Sequence, residues 1–131
     1  MKPASAIAMS VHEKIWPNRA ADPKTENIIE RTYPFFDDIW IGERAESWYL
    51  AFLSVHPDYQ GRGIGKTLVR WGLDRAERDG VVASVISALG KNGFYQRCGF
   101  DEQYRKATEG DGNPLAGTEG SEMFWKWPSK R

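Results

Sequence analysis

One stretch constrains the fold more than any other. A nearly unbroken apolar run, Trp48–Val55 (WYLAFLSV), leads through His56-Pro57 into a glycine-rich loop and then an amphipathic helix. A β-rich apolar run of this length, stopped by proline, predicts a strand buried on both faces and central in its sheet. Beyond the loop, Gly65, Leu68, Val69, Gly72, Leu73 and Ala76 fall on one helical stripe, with Lys66, Arg70, Asp74, Glu77 and Arg78 opposite and Trp71 at the border. Asp79-Gly80 ends that helix, Gly80 supplying a left-handed cap. Val81–Ile86 is a second short apolar segment, so strand, helix and strand form a crossover unit whose strands run parallel. The expected class is α/β, a mixed sheet with flanking helices.

The remaining segments fit around this unit. Ala4–Ile15 alternates imperfectly and reads as a strand, Pro17–Lys24 as a loop, and Glu26–Thr32 as a short helix that Pro34 either interrupts or restarts. Phe35, Phe36, Ile39 and Trp40 are spaced for a second short amphipathic helix and read as core. Gly90–Arg97 reads as a helix ending at Cys98-Gly99, Phe100–Arg105 as a strand, 107–120 as a loop and Ser121–Trp127 as a last strand. A chain of 131 residues is expected to form a single domain.

Charge and cysteine usage narrow the function. Eighteen basic and eighteen acidic residues cancel, which argues against a bulk nucleic-acid binder. Lys91, Arg97, Arg105 and Lys106 lie near one another in sequence and read as solvated surface. A lone Cys98 forms no internal disulfide, and with His12 and His56 it makes no zinc pattern, so no metal is expected. No run approaches the ~20 apolar residues of a membrane span. Residues 1–11 are too short and polar for a signal peptide, so the expected compartment is the cytoplasm.

The loop Gln60-Gly61-Arg62-Gly63-Ile64-Gly65-Lys66 carries the chemistry. Glycine admits positive φ and lets a ligand approach the backbone. The first amides of a helix lack internal partners and carry the positive end of its dipole, so the position suits phosphate. A Walker A loop would need glycine at 60, which is Gln. A dinucleotide fingerprint starting at Gly61 would need glycine at Lys66, and one starting at Gly63 would need it at Leu68. The pattern Q/R-x-x-G-x-G/A is met in full by Gln60, Gly63 and Gly65.

That pattern is the acetyl-coenzyme A loop of the GCN5-related N-acetyltransferases (GNAT), and residues 48–100 resemble this family. LSVHPDYQGRGIGKTLVRWGL resembles its motif A, and FYQRCGF, residues 94–100, its later Y-x-x-x-G-F motif. The wording of WYLAFLSVHPDYQGRGIG and GNPLAGTEG looks most like fungal members. The resemblance implies a GNAT-like mixed sheet that uses acetyl-CoA as cosubstrate. It implies that the amides of Gly61, Arg62, Gly63, Ile64, Gly65 and Lys66 bind the pyrophosphate. It implies that backbone along Leu53, Ser54 and Val55 pairs with the pantetheine arm, an amide near Leu53 polarises the acetyl carbonyl, and Tyr95 protonates the leaving thiolate. A phenol of pKa near 10 suits that last role.

Departures from the family pattern sharpen the expectations. Ala88 stands where many members carry an asparagine, Cys98 reads as core, and His56 reads as a turn residue. Among Glu43, Glu46, Asp37 and Asp38 no general base is marked. Only residues 1–47 precede Trp48, so the family's N-terminal strand or strands and helix are expected to be missing or shortened, with residues 4–40 packed on the sheet edge and the chain a homo-oligomer. The expected function is transfer of acetyl to a small-molecule or peptide amine, with no nucleic-acid or membrane partner. The competing reading is a non-catalytic CoA-binding or interaction module. A different acyl-CoA reaction on the same scaffold is a third.

Overall fold

The computed structural model describes residue 20 and residues 22–129. Helix α1, Ile28–Thr32, is a single short piece; Pro34, which lacks an N–H, breaks the run into 3-10 turns at Tyr33–Phe35, Asp37–Ile39 and Gly42–Arg44. Strand β1 is Ser47–Leu50, helix α2 Ile64–Asp79, strand β2 Val82–Ser87, helix α3 Asn92–Cys98, strand β3 Glu102–Lys106 and strand β4 Glu122–Lys126. The expected strand at Ala4–Ile15 lies outside the described residues.

The four strands among the described residues form one mixed sheet in the order β1-β2-β4-β3. The crossover through α2 makes β1 and β2 parallel, in the register Ser47↔Val82 to Leu50↔Val85. Strand β4 pairs antiparallel with both β2 and β3, and β3 is irregular between Gln103 and Lys106, where Arg105 takes φ 61°. The α/β class and the GNAT-like mixed sheet are as expected.

Alternation along the two inner strands sorts the core into two layers. Ala83, Val85 and Phe124 point to one face and meet Val69 and Ala76 of α2, with Cys98 and Phe100. Val82, Met123 and Trp125 point to the other and meet Phe36, Ile39 and Ala107. Helix α3 therefore lies beside α2 on the first face, and the aromatic turns of residues 36–40 cover the second. The described part of the N-terminal segment packs on a face of the sheet, where an edge was expected. The anchor is specific: Trp40 Nε1 donates to Ser84 Oγ at 3.1 Å, and Ser84 Oγ lies 2.9 Å from Ser47 Oγ. Arg105 reinforces it by donating to Asp38 at 3.0 Å and to the Phe35 carbonyl at 2.9 Å.

Two expectations are corrected. The apolar run Trp48–Val55 is a strand only as far as Leu50, and among the described residues it stands at the sheet edge; the strand with both faces buried is β2. Strand β1 has a ladder on one side only among the described residues, so Trp48 and Tyr49 stay more than a third exposed and Phe52 is 84% exposed. Leu68, placed on the buried stripe of α2, is half exposed, because that stripe is covered fully only at Val69 and Ala76.

Candidate active site

After Leu50↔Val85 the parallel strands diverge: β2 continues to Ser87, whereas residues 51–56 join no strand. The chain then makes a 3-10 turn at Pro57–Tyr59, capped by His56, whose Nδ1 accepts from the Asp58 amide at 3.2 Å. His56 is thus the turn residue expected. Gln60 Nε2 donates to the Val55 carbonyl at 2.9 Å and closes the loop on itself. This gives the glutamine of the motif a definite job, holding the strand exit against the entrance of the glycine-rich loop.

Gly61 and Gly63 both sit in the left-handed region, at φ 76° and 78°, and a Cβ on either would meet no atom within 4 Å. Gly63 is the N-cap of α2 and brings no side chain to its amides. The start of a 16-residue helix therefore faces open space with its N–H groups unsatisfied by a cap. Gly65 differs: its φ is ordinary, and a Cβ there would touch Phe94 Cζ at 3.5 Å and Val55 Cγ2 at 3.7 Å. Its smallness serves the approach of α2 to α3 and to the strand exit.

These segments bound a cleft of about 720 Å³. One wall is Leu53, Ser54 and Val55, the floor is Gln60, Gly61, Gly63, Ile64, Gly65 and Lys66, and α3 closes it with Phe94 and Tyr95. Arg62 does not line this cleft; its guanidinium lies 5.4 Å from the ring centroid of Tyr59. Two lining residues were not singled out as functional in the sequence: Lys91 and Arg97, which join Lys66 to give the cleft three cations. The other half of that basic cluster is structural. Arg105 holds Asp38, and Lys106 lies 3.7 Å from Glu122. No carboxylate lines the cleft among the described residues. Glu43 and Glu46 border a separate cleft of about 480 Å³, with Gly80 and Trp127, which has no phosphate loop.

Tyr95 is half-buried between Phe94 and Phe100, with ring centroids 5.1 and 6.0 Å away. Burial, with a smaller contribution from Cys98, pushes its phenol above the ordinary value, so it keeps its proton through neutral pH. Cys98 is 2% exposed, and burial raises its thiol even though Lys66, Arg70 and Arg97 pull it down. A buried, protonated thiol is a poor nucleophile, so Cys98 is the core residue expected. Ala88 lines the cleft with no polar group, and Asn92 sits at the start of α3 with a buried, unpartnered Oδ1.

Among the described residues no group of three or more His, Cys, Asp or Glu is placed to hold a metal, and no helix is long and apolar enough to cross a membrane. The architecture is thus a parallel strand pair that opens over a helix start with no side-chain cap, with a phenol on the following helix. The family model described as an acetyltransferase (GNAT) domain matches residues 32–102, just over half of the chain and the whole of this unit. The chain belongs to the GCN5-related N-acetyltransferase (GNAT) family.

Proposed function

We propose that this chain is an N-acetyltransferase that takes acetyl-CoA as cosubstrate and transfers the acetyl group to a primary amine by direct attack. One observation carries the reading. The open-faced amides at Gly61–Gly65, three cations and the protonated Tyr95 all border one cleft. The residues fit the cosubstrate. Helix α2 presents free N–H groups and its positive end to the pyrophosphate, while Lys66, Lys91 and Arg97 offer charge to the phosphates. Backbone along Leu53–Val55 has left the ladder with β2 and can pair with the amides of the pantetheine arm, the Val55 carbonyl being already engaged by Gln60 Nε2.

The transfer then follows from the bonds made and broken. The amine nitrogen forms a bond to the acetyl carbonyl carbon, whose oxygen is polarised by an amide near Leu53. The carbon–sulfur bond breaks, Tyr95 gives its proton to the departing thiolate, and the nitrogen releases a proton to water. No carboxylate among the described residues lines the cleft to take that last proton directly, and this observation favours the second reading, a non-catalytic CoA-binding module. Thiol release from acetyl-CoA over a panel of amines separates the two. Turnover supports transfer; CoA binding without release from any amine supports the module. The reading places the protein in the cytoplasm, acting on a small-molecule or peptide amine, without nucleic acid or membrane, and self-associated.

A further inference from the structure

We propose that the amine acceptor is carried on an aromatic body and is gripped by the rings of Tyr33, Trp40 and Tyr49, on the face of the sheet opposite α2 and α3. The inference rests on the acetyltransferase reading and names the substrate class of that site. Tyr49 is the residue before the last rung of the β1–β2 ladder, Leu50↔Val85. Leu50 packs into the core beneath α2, so the alternation of the strand sends Tyr49 to the other face. There its ring meets Trp40 edge-on, with centroids 5.1 Å apart at 65°. Trp40 stacks with Tyr33 at 6.5 Å and 19°, and packs against Phe36 at 6.1 Å.

This platform is fixed underneath and open on top. Trp40 donates through Nε1 to Ser84, which in turn hydrogen-bonds Ser47 in the sheet. Tyr33 and Tyr49, by contrast, remain 50% and 44% exposed. The platform does not line the cleft itself but lies next to its wall in the chain: the β1–β2 ladder ends at Leu50, directly after Tyr49, and the cleft wall begins at Leu53. Electrostatics show the same proximity: after burial, Tyr33 and Tyr95 are what raise the Tyr49 phenol. Tyr95 thus lines the cleft, and Tyr49 stands near it on the other face of the sheet.

The chemistry of the platform selects its ligand. Its side chains are aromatic, and Asp38, beside it in sequence, is held by Arg105 at 3.0 Å. Asp37 is exposed. A polycation finds one exposed carboxylate here, Asp37, whereas a flat ring finds edge and face partners on three side chains. An arriving ammonium is held by ring faces.

The test measures thiol release by the full chain at saturating acetyl-CoA with 2-phenylethylamine, spermidine and a lysine-containing peptide, alongside calorimetry for CoA. Phenylethylamine is expected to show kcat/KM at least about tenfold above spermidine. Tyr49→Ala is expected to raise its KM about tenfold with CoA affinity and melting unchanged, and Tyr49→Phe to restore it. Tyr33→Ala, in an exposed turn, gives the same readout should Tyr49→Ala fail to fold. Preference for spermidine or the peptide, no turnover of phenylethylamine by a CoA-competent protein, or a KM indifferent to both alanine variants overturns the inference. Those results leave acetyl-CoA binding intact; failure of CoA itself to bind overturns the acetyltransferase reading beneath it.

Discussion

Gly63→Asn separates the loop's conformational requirement from its need for empty space. Gly63 sits at φ 78° and ψ 9°. An ordinary L-residue there costs about 1–2 kcal/mol, and Asn less, because its short polar side chain hydrogen-bonds locally. A Cβ at this position would meet no atom within 4 Å, so the fold itself makes room. With a strain of about 1 kcal/mol, a domain of this size should lose no more than about 6 °C in Tm. Binding should suffer far more, since the new side chain stands before the free amides of α2. Losing one hydrogen bond to a charged phosphate costs about 1.5–3 kcal/mol, roughly a 10- to 100-fold rise in the CoA Kd. Calorimetry with CoA and a thermal melt on the same sample read both effects. Gly72→Ala is the control: it lies in the interior of α2 with nothing within 4 Å of its Cβ. It should stabilise by about 0.5–1 kcal/mol and leave the CoA Kd unchanged. A folded Gly63→Asn protein with wild-type CoA affinity would refute the phosphate-loop argument.

Tyr95→Phe should lower turnover by about 10²-fold while CoA affinity stays near wild type; equal losses in both would mark Tyr95 as packing alone. Because the Tyr95 and Tyr49 phenols and the Cys98 thiol are all raised by burial, the folded state holds their protons more tightly than the unfolded chain. Their contribution to stability is therefore full at neutral pH and is lost as pH climbs past the unfolded thiol and phenol values, so Tm should fall from about pH 9 upward; a flat Tm to about pH 11 would contradict this. Cys98 should resist a thiol reagent in the native protein and react at once in denaturant, and Cys98→Ala should keep turnover, whereas fast native labelling would show an open thiol. Self-association is expected because β1 has a ladder on one side only among the described residues and Phe52, Leu68 and Trp71 are exposed; sedimentation velocity should show mass rising with concentration, and a concentration-independent monomer would refute it.

The left-handed turn before α2 was legible in the sequence because its requirement is local. Glycine takes the two left-handed positions, Gly61 and Gly63, most readily, and the spacing of Gln60, Gly63 and Gly65 matches the acetyl-CoA pattern where the rival phosphate loops fail. The crossover unit was equally legible, since helical and strand periods alternate cleanly across α2 and β2. The rank of β1 in the sheet was not, because a continuous apolar run is the same string whether tertiary partners cover both faces or an edge leaves Phe52 in solvent. Residues 36–40 announced themselves as sticky, yet nothing local says that Trp40 bonds Ser84 across the second face. Lys91 and Arg97 looked like ordinary solvated charge; only the packing of α3 beside α2 turns them toward the loop, a helix of 7 residues being too short a signal to orient a face. Tyr33, Trp40 and Tyr49 come together from two segments and carry no shared motif.

The most direct test of the central claim is calorimetric titration of the wild-type chain with acetyl-CoA, ATP with Mg²⁺, and NAD under one buffer. The loop geometry at Gly61–Gly65 and the cations Lys66, Lys91 and Arg97 predict saturable binding of acetyl-CoA, at one site per chain, with ATP and NAD far weaker. Tighter binding of ATP or NAD than of acetyl-CoA, or no binding of acetyl-CoA by the folded protein, would contradict it.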